Sequence, residues 1–159
     1  MLTIGQPAPD FALVNQEGAR VRLSEQRGKP VAIFAFPKAN EMSFGCIAQA
    51  CGFRDEFPRI EASGAVVFGV SADSVGQLKK WHTGRKLPYD LLSDPDHAML
   101  EAYGAWGISV MGIVRVPVVN RSHWVIDGDG ILVAQQLNVA PGDSAPKVLE
   151  ALQRLPSYT

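Results

Sequence analysis

Two short extended runs near the N-terminus flank a polar turn. Residues 11–14 and 20–23 lie on either side of Asn15-Gln16-Glu17-Gly18. Strand-forming residues around a glycine-containing turn predict a β-hairpin. We expect this hairpin to lie at the edge of a sheet.

Two unbroken apolar runs predict central strands, because a strand that is buried on both faces shows no polar alternation. Residues 31–36 form the first run, which stops at Pro37, and residues 65–70 form the second. The segment between them has helical content over residues 44–62. A strand, a helix and a second strand in this order predict a unit in which the two strands are parallel and the crossover is right-handed.

Capping residues predict two helices in the middle of the chain. Residues 75–86 follow three possible N-caps, Ser71, Asp73 and Ser74. The cluster at residues 93–96 is expected to open a second helix that runs to Tyr103.

The chain ends in a predicted β-β-α unit. Residues 121–126 and 131–137 flank the turn Asp127-Gly128-Asp129-Gly130, and residues 145–155 form the last helix. A βαβ opening and a ββα ending on one mixed sheet predict an α/β protein with a thioredoxin-like fold. In this fold a central mixed sheet is flanked by helices, here with the N-terminal β-hairpin as an extension.

Composition and charge narrow the function classes. The 159 residues fit a single domain, 1–159, and 47% hydrophobic against 19% charged residues is typical of a globular chain. The net charge of -1, from 15 basic and 16 acidic residues without a basic cluster, argues against a nucleic-acid or membrane partner. A basic leader and a long apolar span are also lacking, so we expect a cytoplasmic protein.

A close pair of cysteines is the main chemical clue, because in a reducing compartment such a pair is more often redox-active or metal-binding than structural. Cys46 falls in the first turn of the predicted helix, where free N–H groups and the helix dipole favour a thiolate. The dipole supplies about 0.3–1 kcal/mol, whereas about 3.4 kcal/mol is needed to ionise most of a typical thiol at neutral pH. We therefore expect an arginine nearby.

Cys51 lies five residues after Cys46. In an ideal helix this spacing separates the Cα atoms by about 8.6 Å and the side chains by about 140°, whereas a disulfide needs less than about 7 Å. A bridge would require the first turns to unwind, and Gly52 makes unwinding easier by about 1 kcal/mol relative to alanine. Without further context, two buried cysteines on one helix explain the pair equally well.

The surrounding motifs provide that context. The chain resembles the Q-type peroxiredoxins, also called bacterioferritin comigratory proteins, over nearly its whole length. The resemblance is carried by Phe36-Pro37-Lys38-Ala39-Asn40, Gly45-Cys46, Gln49-Ala50-Cys51-Gly52-Phe53-Arg54-Asp55, Ala8-Pro9-Asp10-Phe11 and Val125-Ile126-Asp127.

This resemblance implies a peroxidase that reduces hydrogen peroxide and organic hydroperoxides without a metal or cofactor. It implies that Cys46 attacks the peroxide, that the resulting sulfenic acid forms a disulfide with Cys51, and that thioredoxin or a similar dithiol reduces the disulfide. It also implies that Ser43 orients the peroxide and that an arginine stabilises the thiolate. Arg121 matches the family's register and is favoured over Arg115. We expect a monomer.

The chain departs from the family pattern at two points. The family has proline, three residues, threonine, two residues and cysteine, whereas Pro37 precedes Cys46 by nine positions. The loop is therefore two residues longer. Ser43 replaces the threonine, which keeps the hydroxyl but loses the methyl group that restricts χ1.

Other chemistries have weaker support. His82, His97 and His123 lack the spacing of zinc ligands. The alternative functions are a disulfide oxidoreductase of the same fold, which usually has two residues between its cysteines, and a non-catalytic redox sensor. Fast peroxide turnover would distinguish a peroxidase from a sensor.

Overall fold

The secondary structure follows the order that the sequence predicts over most of the chain. The computed structural model describes residues 2–39 and 44–155. The strands are β1 (Ala12–Asn15), β2 (Arg20–Arg22), β3 (Val31–Ala35), β4 (Val66–Ser71), β5 (Asp90–Ser93), β6 (Trp106–Val110), β7 (Val114–Val119), β8 (Ser122–Ile126) and β9 (Leu132–Gln136). The helices are α1 (Phe44–Ala62), α2 (Val75–Arg85), α3 (Ala98–Ala102) and α4 (Ser144–Gln153).

A mixed sheet organises these elements. Within the described ranges its seven strands run in the order β2-β1-β5-β4-β3-β8-β9, and β6 pairs with β7 in a separate small sheet. Strand β3 is parallel to β4 and antiparallel to β8, and all five of its residues are buried. The predicted crossover unit and the β-β-α ending are both confirmed.

Apolar side chains cover both faces of the sheet. On one face, Phe34 of β3 packs with residues of α1, α2 and α4, including Phe53, which stacks on it with ring centroids 4.4 Å apart. On the other face, Ile33 packs with Trp124 of β8 and with residues of α3. The first face matters most for function because α1 carries both cysteines.

The N-terminal hairpin lies at the sheet edge, as predicted. Strands β1 and β2 pair with Ala12 opposite Arg22, and β1 pairs antiparallel with β5. The Asn15 side chain accepts hydrogen bonds from the backbone N–H groups of Glu17 and Ala19, which fixes the turn. Helix α2 is also confirmed, with Ser74 as the N-cap that accepts from the Gln77 N–H group.

Two predictions from the middle of the chain need correction. The cluster at residues 93–96 does not open a helix, because Ser93 ends β5 and the Asp94 N–H donates to the Ser71 carbonyl beside it. Helix α3 begins only after His97, which has a φ of 53°, and ends before Tyr103. The β6–β7 hairpin was not predicted.

Candidate active site

Cys46 lies in the first turn of α1, on the side of the sheet covered by that helix. The chain leaves β3 through Phe36, whose N–H donates to the Val70 carbonyl. The Ala39 N–H then donates to the Asp73 carboxylate at 2.7 Å, which anchors the described start of the loop. Cys46 is only 2% exposed. Its thiol therefore lies in a confined site at the end of a helix where unpaired N–H groups favour negative charge.

Arg121 contacts this thiol. Its Nη2 atom lies 3.6 Å from Cys46 Sγ, and its Nη1 atom donates to Gln49 Oε1 at 2.9 Å. The sheet brings these groups together, because Ser122 of β8 pairs with Ala35, the last residue of β3. Arg121 therefore lies level with the point where β3 leads into the loop before α1.

Gly45 leaves the space that the arginine occupies. A Cβ atom at this position would lie 2.9 Å from Arg121 Nη2 and 3.3 Å from Pro141 Cγ. The guanidinium would have to move away, since a real Cβ contact is not that short. Gly45 thus leaves room for the guanidinium beside Cys46, a constraint that the sequence did not identify.

The second predicted arginine lies elsewhere. Arg115 is exposed on β7, opposite Ser109 of β6, and its guanidinium donates to the Trp106 carbonyl. The structure thus brings Arg121, and not Arg115, into contact with Cys46. Ser43 lies outside the described residues.

Cys51 is on the same helix as Cys46, and both thiols are free. Cys51 is half-buried, and α1 is continuous through both positions. The hydroxyl of buried Tyr89 donates to the carbonyl of Ala50 at 2.6 Å, directly before Cys51. Burial raises the pKa of Tyr89 well above its usual value, with a further contribution from Cys51, so the hydroxyl stays protonated and donates.

Behind Arg121, three buried polar side chains extend the site. Gln49 and Ser144 are fully buried and His123 is 4% exposed. Gln49 Nε2 donates to Ser144 Oγ at 3.3 Å, and His123 Nδ1 lies 2.9 Å from the same oxygen. Burial, aided by the charge of Lys147, lowers the pKa of His123 to about 4. From the sequence, His123 is a histidine near Arg121 without the spacing of a zinc ligand, and Gln49 is only part of a motif.

The described residues provide neither a metal site nor a membrane-spanning helix. Among the residues that the structure describes, no three His, Cys, Asp or Glu side chains come together to hold a metal ion. Of the histidines, His97 stacks on Trp106, whereas His123 is buried in β8. None of the described helices has both the length and the apolar character of a membrane span.

The chain is similar in sequence to known proteins over most of its length. The family model described as AhpC/TSA family matches residues 4–135. Peroxiredoxin Bcp of Bacillus subtilis (strain 168) is 33% identical over 152 residues, which cover 96% of each protein.

Solved structures give the same result. The crystal structure of peroxidoxin BcpB from Mycobacterium tuberculosis superposes with a TM-score of 0.86 at 30% identity, covering 99% of this chain and 100% of that chain. The bacterioferritin comigratory protein of Xanthomonas campestris, for which alkyl peroxide reduction activity is described, gives a TM-score of 0.82 at 25% identity over 90% of each chain.

These matches confirm the predicted thioredoxin-like fold, with its central mixed sheet and flanking helices. They also confirm the resemblance on which the predicted activity depends. The chain therefore belongs to the AhpC/TSA family and is a peroxiredoxin of the Q or bacterioferritin comigratory type, a thiol-dependent peroxidase that takes a peroxide as substrate and a thiol as reductant.

Proposed function

We propose that Cys46 is the nucleophile of this peroxidase and that Arg121 stabilises the charge in its reaction. The observation that carries the proposal is the 3.6 Å contact between Arg121 Nη2 and Cys46 Sγ at the start of α1. A guanidinium is always charged and has several donors, so it can stabilise the thiolate and also the oxygen that departs. The helix dipole alone is too weak for this task.

In the proposed reaction the bonds, electrons and protons all balance. The Cys46 thiolate attacks one oxygen of the hydroperoxide, an S–O bond forms and the O–O bond breaks. Sulfur loses two electrons, which leave with the second oxygen, and that oxygen takes up a proton to become water or an alcohol. The product on the protein is a sulfenic acid, which can condense with a second thiol and release water.

Cys51 is the second thiol in this proposal. Both cysteines lie on an intact helix, in which a five-residue spacing holds Cα atoms about 8.6 Å apart. The first turns of α1 must therefore open before the disulfide forms. Gly52 favours this opening, because glycine stabilises a helix less than alanine does by about 1 kcal/mol.

The remaining assignments extend the same scheme. Ser43 would hold the peroxide through its hydroxyl, and the Ser43→Ala variant should then consume peroxide at least tenfold more slowly than the wild type, while Ser43→Thr stays active. Thioredoxin or a similar dithiol protein would reduce the disulfide, and the enzyme would work as a cytoplasmic monomer. The activity described for the Xanthomonas campestris relative suggests that organic hydroperoxides are substrates here too.

A single-turnover experiment tests the core of the proposal. One equivalent of hydroperoxide added to the reduced protein should give a product lighter by two hydrogens, with the bridge mapped to Cys46 and Cys51. Oxidation at the rate of a free thiol would contradict the proposal.

The two arginines provide a matched pair of variants. Arg121→Ala should slow the oxidation of Cys46 by about a hundredfold, a usual effect of removing one charge-stabilising donor. Arg115→Ala should stay within threefold of the wild type, because its guanidinium bonds to the Trp106 carbonyl in the β6–β7 hairpin. The reverse result would assign the stabilising role to Arg115.

A further inference from the structure

A line of buried hydrogen bonds connects Arg121 to three side chains that do not contact the reacting thiol. Arg121 Nη1 donates to Gln49, Gln49 donates to Ser144, and Ser144 Oγ meets His123 Nδ1. The members come from α1, α4 and β8, so the line joins the three elements that surround the site.

The direction of this line is fixed at the arginine end. A guanidinium can only donate, so the Gln49 oxygen must face Arg121 and its NH₂ group must face Ser144. Ser144 Oγ accepts that bond, which leaves the hydroxyl hydrogen for another acceptor. His123 Nδ1 lies 2.9 Å from the hydroxyl and provides one when the imidazole is neutral with its proton on Nε2.

Each bond depends on the next. If His123 offered no acceptor, the Ser144 hydroxyl would have to turn its hydrogen elsewhere, and the bond that the fully buried Gln49 donates to Ser144 would weaken. The Gln49 amide would then be held mainly by Arg121, so the amide and the guanidinium bonded to it could shift together relative to Cys46 Sγ. Displacements of about 1 Å at a reacting group can cost 10²-fold in rate.

We propose that His123 is a positioning residue for peroxide reduction, which acts through Ser144 and Gln49 to hold the Arg121 guanidinium against Cys46. The proposal rests on the proposed roles of Cys46 and Arg121. His123 is connected to the Arg121 guanidinium through three hydrogen bonds, and its contribution lies in holding the Gln49 amide in place.

Two replacements of His123 that match each other in shape test this role. Asparagine and leucine have the same shape, but only asparagine has an acceptor close to the position of Nδ1. We expect His123→Leu to slow the oxidation of Cys46 by about tenfold, and His123→Asn to remain within threefold of the wild type. The rate is measured under single-turnover conditions by intrinsic tryptophan fluorescence, with His82→Asn as a control at a half-buried histidine.

Ser144→Ala keeps the test decisive if His123→Leu does not fold. It removes the middle of the line and should cause a similar loss, while the double variant with His123→Leu should lose no more than either single variant. The proposal is overturned if His123→Asn and His123→Leu lose the same amount of activity. It is also overturned if His123→Leu and Ser144→Ala both oxidise within twofold of the wild-type rate. If Arg121→Ala is slow while these variants are not, only the positioning role fails. If Arg121→Ala is also fast, the proposed function fails with it.

Discussion

Acidification from pH 7 to pH 5 should destabilise this protein through His123, and the size of the effect follows from its burial. Burial lowers the pKa of His123 to about 4, against an ordinary value of 6.5 in the unfolded chain. Between these two values the unfolded state binds more protons than the folded state. The free energy of unfolding therefore rises with pH across this window, and it is lost as the pH falls through 6.5 towards 4.

The expected magnitude is about 2 kcal/mol. At pH 5 a histidine with a pKa of 6.5 is about 97% protonated and one with a pKa of about 4 is about 9% protonated. Integration of the difference in bound protons from pH 7 to pH 5 gives about 2 kcal/mol of lost stability. That is a large part of the 5–15 kcal/mol by which typical domains are stable.

Urea unfolding at both pH values, followed by tryptophan fluorescence under reducing conditions, measures this effect. His123→Asn removes the titrating group, so its loss of stability on acidification should be smaller than that of the wild type by about 2 kcal/mol. Every other residue is the same in the two proteins, so the comparison isolates the contribution of His123.

The comparison can also refute the reasoning. If the wild type and His123→Asn lose the same stability to within 0.5 kcal/mol, His123 is not held neutral by its surroundings.

Two further predictions concern the positions next to the cysteines. Gly45→Ala places a methyl group 2.9 Å from Arg121 Nη2, so the guanidinium must move, and we expect at least tenfold slower peroxide consumption with little change in unfolding free energy. Gly76→Ala in α2, whose new Cβ has open space, is the control and should keep full activity. Tyr89→Phe removes the hydrogen bond to the Ala50 carbonyl, worth about 1 kcal/mol, and should ease the opening of α1 about fivefold. Mass spectrometry after excess peroxide should then show less sulfinic acid than in the wild type, and an equal or larger amount would contradict a role of this bond in holding the helix closed.

The strands of the main sheet could be predicted because their apolar residues are also the buried ones. The run at residues 31–36 is apolar because both faces of β3 are covered, so the pattern reports the structure directly. The β6–β7 hairpin shows the opposite case. Met111 and Ile113 are 89% and 85% exposed, so their apolar character does not indicate burial. Such a hairpin cannot be recognised from a rule that places apolar residues inside.

The candidate site could be predicted only in part, because most of its contacts join elements that are far apart along the chain. The position of Cys46 at a helix start depends on local patterns. The choice between Arg121 and Arg115 depends on the register between β8 and β3, which no local pattern specifies. The meeting of His123 with Ser144 depends on how α4 packs against β8, and it becomes visible only when side-chain positions are known.

The long separations along the chain between the parts of this site have a consequence for the protein during synthesis. Arg121 follows Cys46 by 75 residues, and Ser144 follows Gln49 by 95. The cysteine therefore leaves the ribosome well before the strand and the helix that complete its surroundings, and contacts of such range form late in folding. A chain that has been synthesised only as far as β7 carries Cys46 without the Arg121 contact that the folded protein has. If Cys46 and Arg121 act as proposed, reactivity towards peroxide appears only after β8 has joined the sheet beside β3.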